Sequence, residues 1–128
     1  MRAVLTPDDL KKSDLVEPGW YPADIIEYKE EDADTDASTN SIFTFKITGG
    51  PEKAQGVQPR KLFNEKALGF GKSLWSTLKL PFDTKKGYEL TTELLSAQVG
   101  KKLQIYIARG KSNKGNEFND VKDFRPLP

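Results

Sequence analysis

The chain has 128 residues, 36% hydrophobic and 30% charged, which suits one domain able to bury its own core. Cysteine and histidine are both absent, which excludes a disulfide scaffold, a thiolate nucleophile, a Cys/His zinc site and an imidazole general base. The near-neutral total hides a split: residues 1–58 carry 12 acids and 6 bases (−6), residues 59–128 carry 7 acids and 14 bases (+7).

Residues 1–19 read as a polar arm. Pro7-Asp8-Asp9-Leu10-Lys11-Lys12 suits a helical turn but carries too little apolar surface to fold alone. The sequence turns acidic before any leader core develops, and no run approaches the roughly 18 apolar residues of a membrane span. A cytoplasmic protein with no membrane partner is expected. Pro18-Gly19 marks a turn, and residues 20–128 form the expected domain.

The first strand is read over Trp20–Tyr28, with Pro22 favouring an edge or first-strand position. Residues 30–41 hold no apolar residue larger than alanine and read as a solvated acidic loop. The alternation Ile42-Phe43-Thr44-Phe45-Lys46-Ile47-Thr48 is that of a half-buried strand with Phe43, Phe45 and Ile47 on one face. A third strand is read over Val57–Phe63. Asn64 suits a helix N-cap, Leu74, Trp75 and Leu78 fall at helical spacing, and Thr91 caps a second short helix. Two further strands are read over Lys102–Arg109 and Glu117–Phe124, joined by a hairpin loop at Gly110–Asn116. The fold expected is mainly β: a five-stranded OB-type Greek-key barrel with a helical segment between strands 3 and 4. A β-sandwich with a helical insertion has a similar order.

Motifs for catalysis fail one by one. Asp32, Asp34 and Asp36 alternate like the opening of an EF-hand, but the required glycine and glutamate places hold Ala37 and Phe43, which leaves a solvated acidic loop. Gly69-Phe70-Gly71-Lys72-Ser73 ends like a phosphate loop, yet Lys66 stands where its first glycine belongs, so turn chemistry explains it. No Gly-x-Ser-x-Gly elbow is present. Neither an enzyme, a cofactor nor a bound metal is expected.

What remains is a basic second half with aromatics among the bases. Cations hold phosphates while rings stack on unpaired bases, which is the chemistry of single-stranded nucleic-acid binding. Arg60, Lys61, Lys102, Arg109, Lys111 and Lys114 are the candidate phosphate contacts, and Phe63, Tyr106 and Phe118 the candidate stacking rings. Tyr106 shares the polar face of its strand with Lys102 and Gln104, opposite Leu103, Ile105 and Ile107. Phe43, Phe45 and Trp75 are read as core. The acidic loop borders the same face of an OB barrel and would repel phosphate. A second reading is therefore a protein–protein adaptor whose residues 30–36 grip a basic partner.

Five segments also carry a family resemblance. They are Glu17-Pro18-Gly19-Trp20-Tyr21-Pro22-Ala23-Asp24-Ile25, Phe43-Thr44-Phe45-Lys46-Ile47, Leu74-Trp75-Ser76-Thr77-Leu78, Val99-Gly100-Lys101-Lys102-Leu103 and Gly115-Asn116-Glu117-Phe118-Asn119-Asp120-Val121. In this order, and with a proline-containing tail, they resemble the small bacteriophage single-stranded-DNA-binding proteins. The resemblance implies an OB-fold that coats single-stranded DNA in replication, recombination or repair in an infected bacterial host. Replication or recombination proteins and further copies of the chain are the other partners it allows. Many such proteins end in an acidic tail, whereas this chain ends Asp123-Phe124-Arg125-Pro126-Leu127-Pro128.

Overall fold

Alternating apolar residues build the sheet. A computed structural model describes residues 3–34 and 37–128. It holds β1 (Gly19–Asp32), β2 (Thr39–Ile47), β3 (Arg60–Asn64), β4 (Lys102–Lys111) and β5 (Glu117–Arg125). All pairings are antiparallel, in the order β3-β2-β1-β4-β5. Phe43, Phe45 and Ile47 on β2 and Leu103, Ile105 and Ile107 on β4 face the core and are fully buried. The mainly β, five-stranded expectation therefore holds, but the strands make one open sheet rather than a closed barrel. Its edges nevertheless approach each other. Lys61 on β3 lies 3.9 Å from the Asp120 carboxylate on β5, and the Phe63 and Phe124 rings are 6.5 Å apart.

Three boundaries differ from the sequence reading. First, β1 runs to Asp32 and β2 starts at Thr39, so the acidic loop is much shorter than residues 30–41. Glu30, Glu31 and Asp32 pair with Ser41, Asn40 and Thr39, because a two-stranded ladder is satisfied by backbone groups and does not require apolar side chains. Second, β1 is the central strand, not an edge. Pro22 is tolerated because its carbonyl, on the side facing β2, accepts from Thr48 N at 2.9 Å. The β1–β2 ladder begins only at Ala23, so the missing N–H falls beyond its end. Third, β3 begins at Arg60 instead of Val57. Val57 and Pro59 still accept from Ile47 N and Phe45 N at 2.9 Å each, but Pro59 has no N–H to return.

The helical segment between β3 and β4 closes over the core. A 3-10 stretch at Glu65–Gly71 is capped by Asn64, whose side chain accepts from Lys66 N. It leads into a short α-helix, Lys72–Thr77, which buries Leu74 and Trp75. The Trp75 indole donates to Leu68 O at 2.9 Å and packs 5.2 Å from Phe63 and 6.1 Å from Phe43. Gly71 is required for this approach, since a Cβ there would sit 2.5 Å from the indole. A second short helix, Thr92–Ser96, is capped by Thr91 Oγ1 accepting from Leu94 N.

Residues before β1 lie against the domain. The helical turn Pro7–Lys11 is opened by Thr6 and Asp9, which exchange hydrogen bonds between side chain and backbone, the reciprocal arrangement of a capping box. Val16 is buried in the core. Asn119 accepts from Val16 N at 3.0 Å and donates to Asp14 O at 2.7 Å. Arg109 donates to Val16 O. Among the described residues no helix is long and apolar enough to cross a membrane.

Candidate nucleic-acid interface

Of the nine residues singled out from sequence, Phe63 lies inside and the other eight reach the surface at separate places. Two of them lie in a surface cleft of about 680 Å³. Ile26, Glu27 and Lys29 of β1, Thr44 of β2, Arg60 of β3 and Phe118 of β5 line it, and Asp9 and Lys12 of the N-terminal arm form one rim. Phe118 is 44% exposed. Its ring lies on Gly110 of the facing strand, where a Cβ would meet Cζ at 2.5 Å. Glycine at this position thus mounts the ring in the cleft wall. Arg60 is exposed and makes no ion pair or side-chain hydrogen bond among the described residues.

The cleft is not uniformly basic. Lys12 pairs with Asp9 at 3.3 Å, Lys29 with Glu31 at 3.0 Å, and Glu27 is a weak acceptor for Thr44 Oγ1 at 3.4 Å. Glu117, at the cleft edge, holds Arg109 at 3.2 Å. Hydrogen bonds from Thr6 and the Lys12 ammonium keep the Asp9 carboxyl below its ordinary pKa, so Asp9 adds a negative charge to this rim.

Lys111 and Lys114 occupy the hairpin end between β4 and β5, both exposed and without ion pairs among the described residues. Arg109, expected beside them, is engaged by Glu117 and by Val16 O, and so ties the arm to the sheet. Tyr106 and Lys102 lie on the outer face of β4. There Tyr106 meets Trp20 edge-on at 5.4 Å. The Arg125 guanidinium covers the indole at 4.1 Å and donates to Gln104 Oε1 at 2.5 Å. Lys102 reaches Asp24 at 3.1 Å.

Phe63 is a correction. It is 3% exposed and packed among Phe43, Trp75 and Phe124, so its ring cannot take a base. Lys61, two residues away and on the same face, has its ammonium 5.9 Å from the Phe63 ring as it reaches towards Asp120 across the seam. Sequence reasoning missed Trp20 and Arg125. Their connection is visible only in the pairing Trp20↔Tyr106 and Gln104↔Arg125.

The acidic stretch is partly structural. Glu30 accepts from Tyr28 OH and Thr92 Oγ1 at 2.6 Å each, and these bonds hold its carboxyl below the usual range. Burial, with the Glu30 contact second, pushes the Tyr28 hydroxyl up to about 12. Asp36, the third of the alternating aspartates, lies outside the described residues. Among the described residues no group of acids is placed to hold a metal.

The molecule is thus a small antiparallel β-domain with a mixed-charge cleft that presents one aromatic ring. It belongs to the family described as "Protein of unknown function (DUF669)", which matches residues 6–128. No curated protein matches the chain.

Proposed function

We propose that this chain is a non-enzymatic, sequence-independent single-stranded-DNA-binding protein serving phage DNA replication, recombination or repair. The observation that carries the reading is the Phe118 ring, mounted on Gly110 in a cleft that also holds the unpaired Arg60. A flat exposed ring beside a free guanidinium can stack a base while its phosphate is held. Lys111 and Lys114 extend the free positive charge along the hairpin.

The strand order supports the same reading. With β1 between β2 and β4, and with the β3 and β5 edges meeting, the order is that of a five-stranded Greek-key barrel opened along one seam. Barrels of the OB type bind oligonucleotides across the face of strands 2 and 3, flanked by the 1–2 and 4–5 loops. Thr44, Arg60 and Phe118 lie on or beside that region here.

Titrating a fluorescein-labelled oligo-dT over a range of salt tests the proposal. Three free cations, Arg60, Lys111 and Lys114, correspond to a slope of log K against log salt of about −2; all six candidate cations would give about −4. Tighter binding to the single strand than to duplex is expected. Equal affinity for the two, or no salt dependence, would sink the proposal.

A further inference from the structure

On a part of the surface sharing no residue with the cleft, the helical segment forms a second concave site. The groove encloses about 600 Å³, and Leu68, Trp75, Phe82, Tyr88, Leu90 and Lys72 line it. Phe82 is 61% exposed and leans on Tyr88 at 5.0 Å. Beside it, Phe70 is 88% exposed, in the 3-10 stretch whose last residue, Gly71, is pressed against Trp75. Exposed rings around an apolar hollow are the usual mark of a surface that receives something.

Charge narrows what that is. Residues 68–90 carry Lys72, Lys79, Lys85 and Lys86 against Asp83 and Glu89, a net of +2. None of these four lysines has an ion-pair partner among the described residues. Lys85 and Lys86 sit in the tight turn between the lining residues Phe82 and Tyr88. Asp83 fixes that turn by accepting from both their backbone N–H groups, at 2.7 and 2.9 Å. The turn that carries these two exposed lysines thus lies between two of the residues that line the hollow. Two copies meeting groove to groove would bring like charges together there, which is unfavourable.

We propose that this groove docks an acidic segment of a partner protein, with an aromatic or aliphatic side chain seated over Trp75 and Leu68 and carboxylates meeting Lys72, Lys85 and Lys86. Anchors in apolar pockets surrounded by complementary charge are the common form of such recognition. The inference is independent of DNA binding, since the groove and the cleft have no residue in common.

Selection of a random dodecapeptide phage library on the full-length chain tests it, followed by anisotropy with the enriched peptide in fluorescein-labelled form. Enriched peptides should combine Asp or Glu with Phe, Trp or Leu. Phe82→Ser, and separately Lys85→Glu with Lys86→Glu, should each weaken binding about tenfold or more, equivalent to at least ~1.4 kcal/mol. These side chains are exposed, so circular dichroism should show an unchanged fold. Three results would overturn the proposal: enrichment of basic or uncharged peptides; loss of oligo-dT affinity in the same variants, which would make the groove a nucleic-acid surface; or a sedimenting dimer abolished by Phe70→Ser, which would make the occupant a second copy.

Discussion

Phe63 and Phe118 are both edge-strand rings set among bases in the sequence, yet they have opposite fates. Phe63 shares its face with Lys61 and lies beneath Trp75, 3% exposed. Phe118 faces a glycine across the hairpin and stays 44% exposed. Neighbouring charge did not separate them, and both face a small residue across the ladder, Ser41 and Gly110; what packs over each ring did, Trp75 and Phe124 covering Phe63 alone. An aromatic becomes available when the fold places a small residue beneath it and nothing above.

The strongest way to break this contrast is to damage the buried side. Trp75→Ala should destabilise the fold by about 3–5 kcal/mol, read as a lower denaturant midpoint, because the indole touches Phe43 and Phe63 and ties Leu68 O. Phe118→Ala should do the reverse, leaving the midpoint almost unchanged while costing about 1–3 kcal/mol of oligo-dT affinity. A Phe118 variant that loses stability instead would place that ring with the core.

Smaller effects probe what frames the cleft. Asn119→Ala removes both bonds that hold the arm at Asp14 and Val16, a loss of about 1–2 kcal/mol. Faster tryptic cleavage after Lys11 or Lys12 should accompany it. Arg125→Ala removes the cation over Trp20 and should cost about 0.5–1 kcal/mol, visible as a change in indole emission. The last effect depends on pH. Glu30 is more acidic in the folded chain, so its stabilisation is complete above the unfolded pKa and is lost as pH falls through the folded value. The melting-temperature gap between the native chain and Glu30→Gln should therefore be widest near neutrality and close as acidification carries the pH below the ordinary carboxylate range.

Period-two alternation announces Phe43, Phe45 and Ile47, and again Leu103, Ile105 and Ile107, because each strand has one face on the core. Asn64 and Thr91 announce helix starts because their side chains satisfy N–H groups nearby in sequence. Such signals are local, and they could be read. The burial of Phe63, the Trp20–Tyr106–Arg125 group and the docking of the arm on Asn119 depend on residues up to 105 positions apart. The extension of β1 through Glu30, Glu31 and Asp32 was hidden for a related reason: its support is backbone pairing plus the distant Thr92 hydroxyl. Of the candidate site, Arg60, Phe118, Lys111 and Lys114 were legible as exposed groups. Which cations were already occupied was not, because Asp24, Glu117 and Asp120 had to be placed first.

The seam between β3 and β5 bears on how the protein behaves when crowded. An open sheet ordinarily offers two rows of unpaired backbone groups on which a foreign strand can grow. Here the two margins face one another, bridged by Lys61 and Asp120 and backed by Phe63 and Phe124. Each margin obstructs access to the other. In the proposed role many copies would sit side by side along one strand, and this bridging by side chains would guard against fibre-like stacking without a continuous ladder.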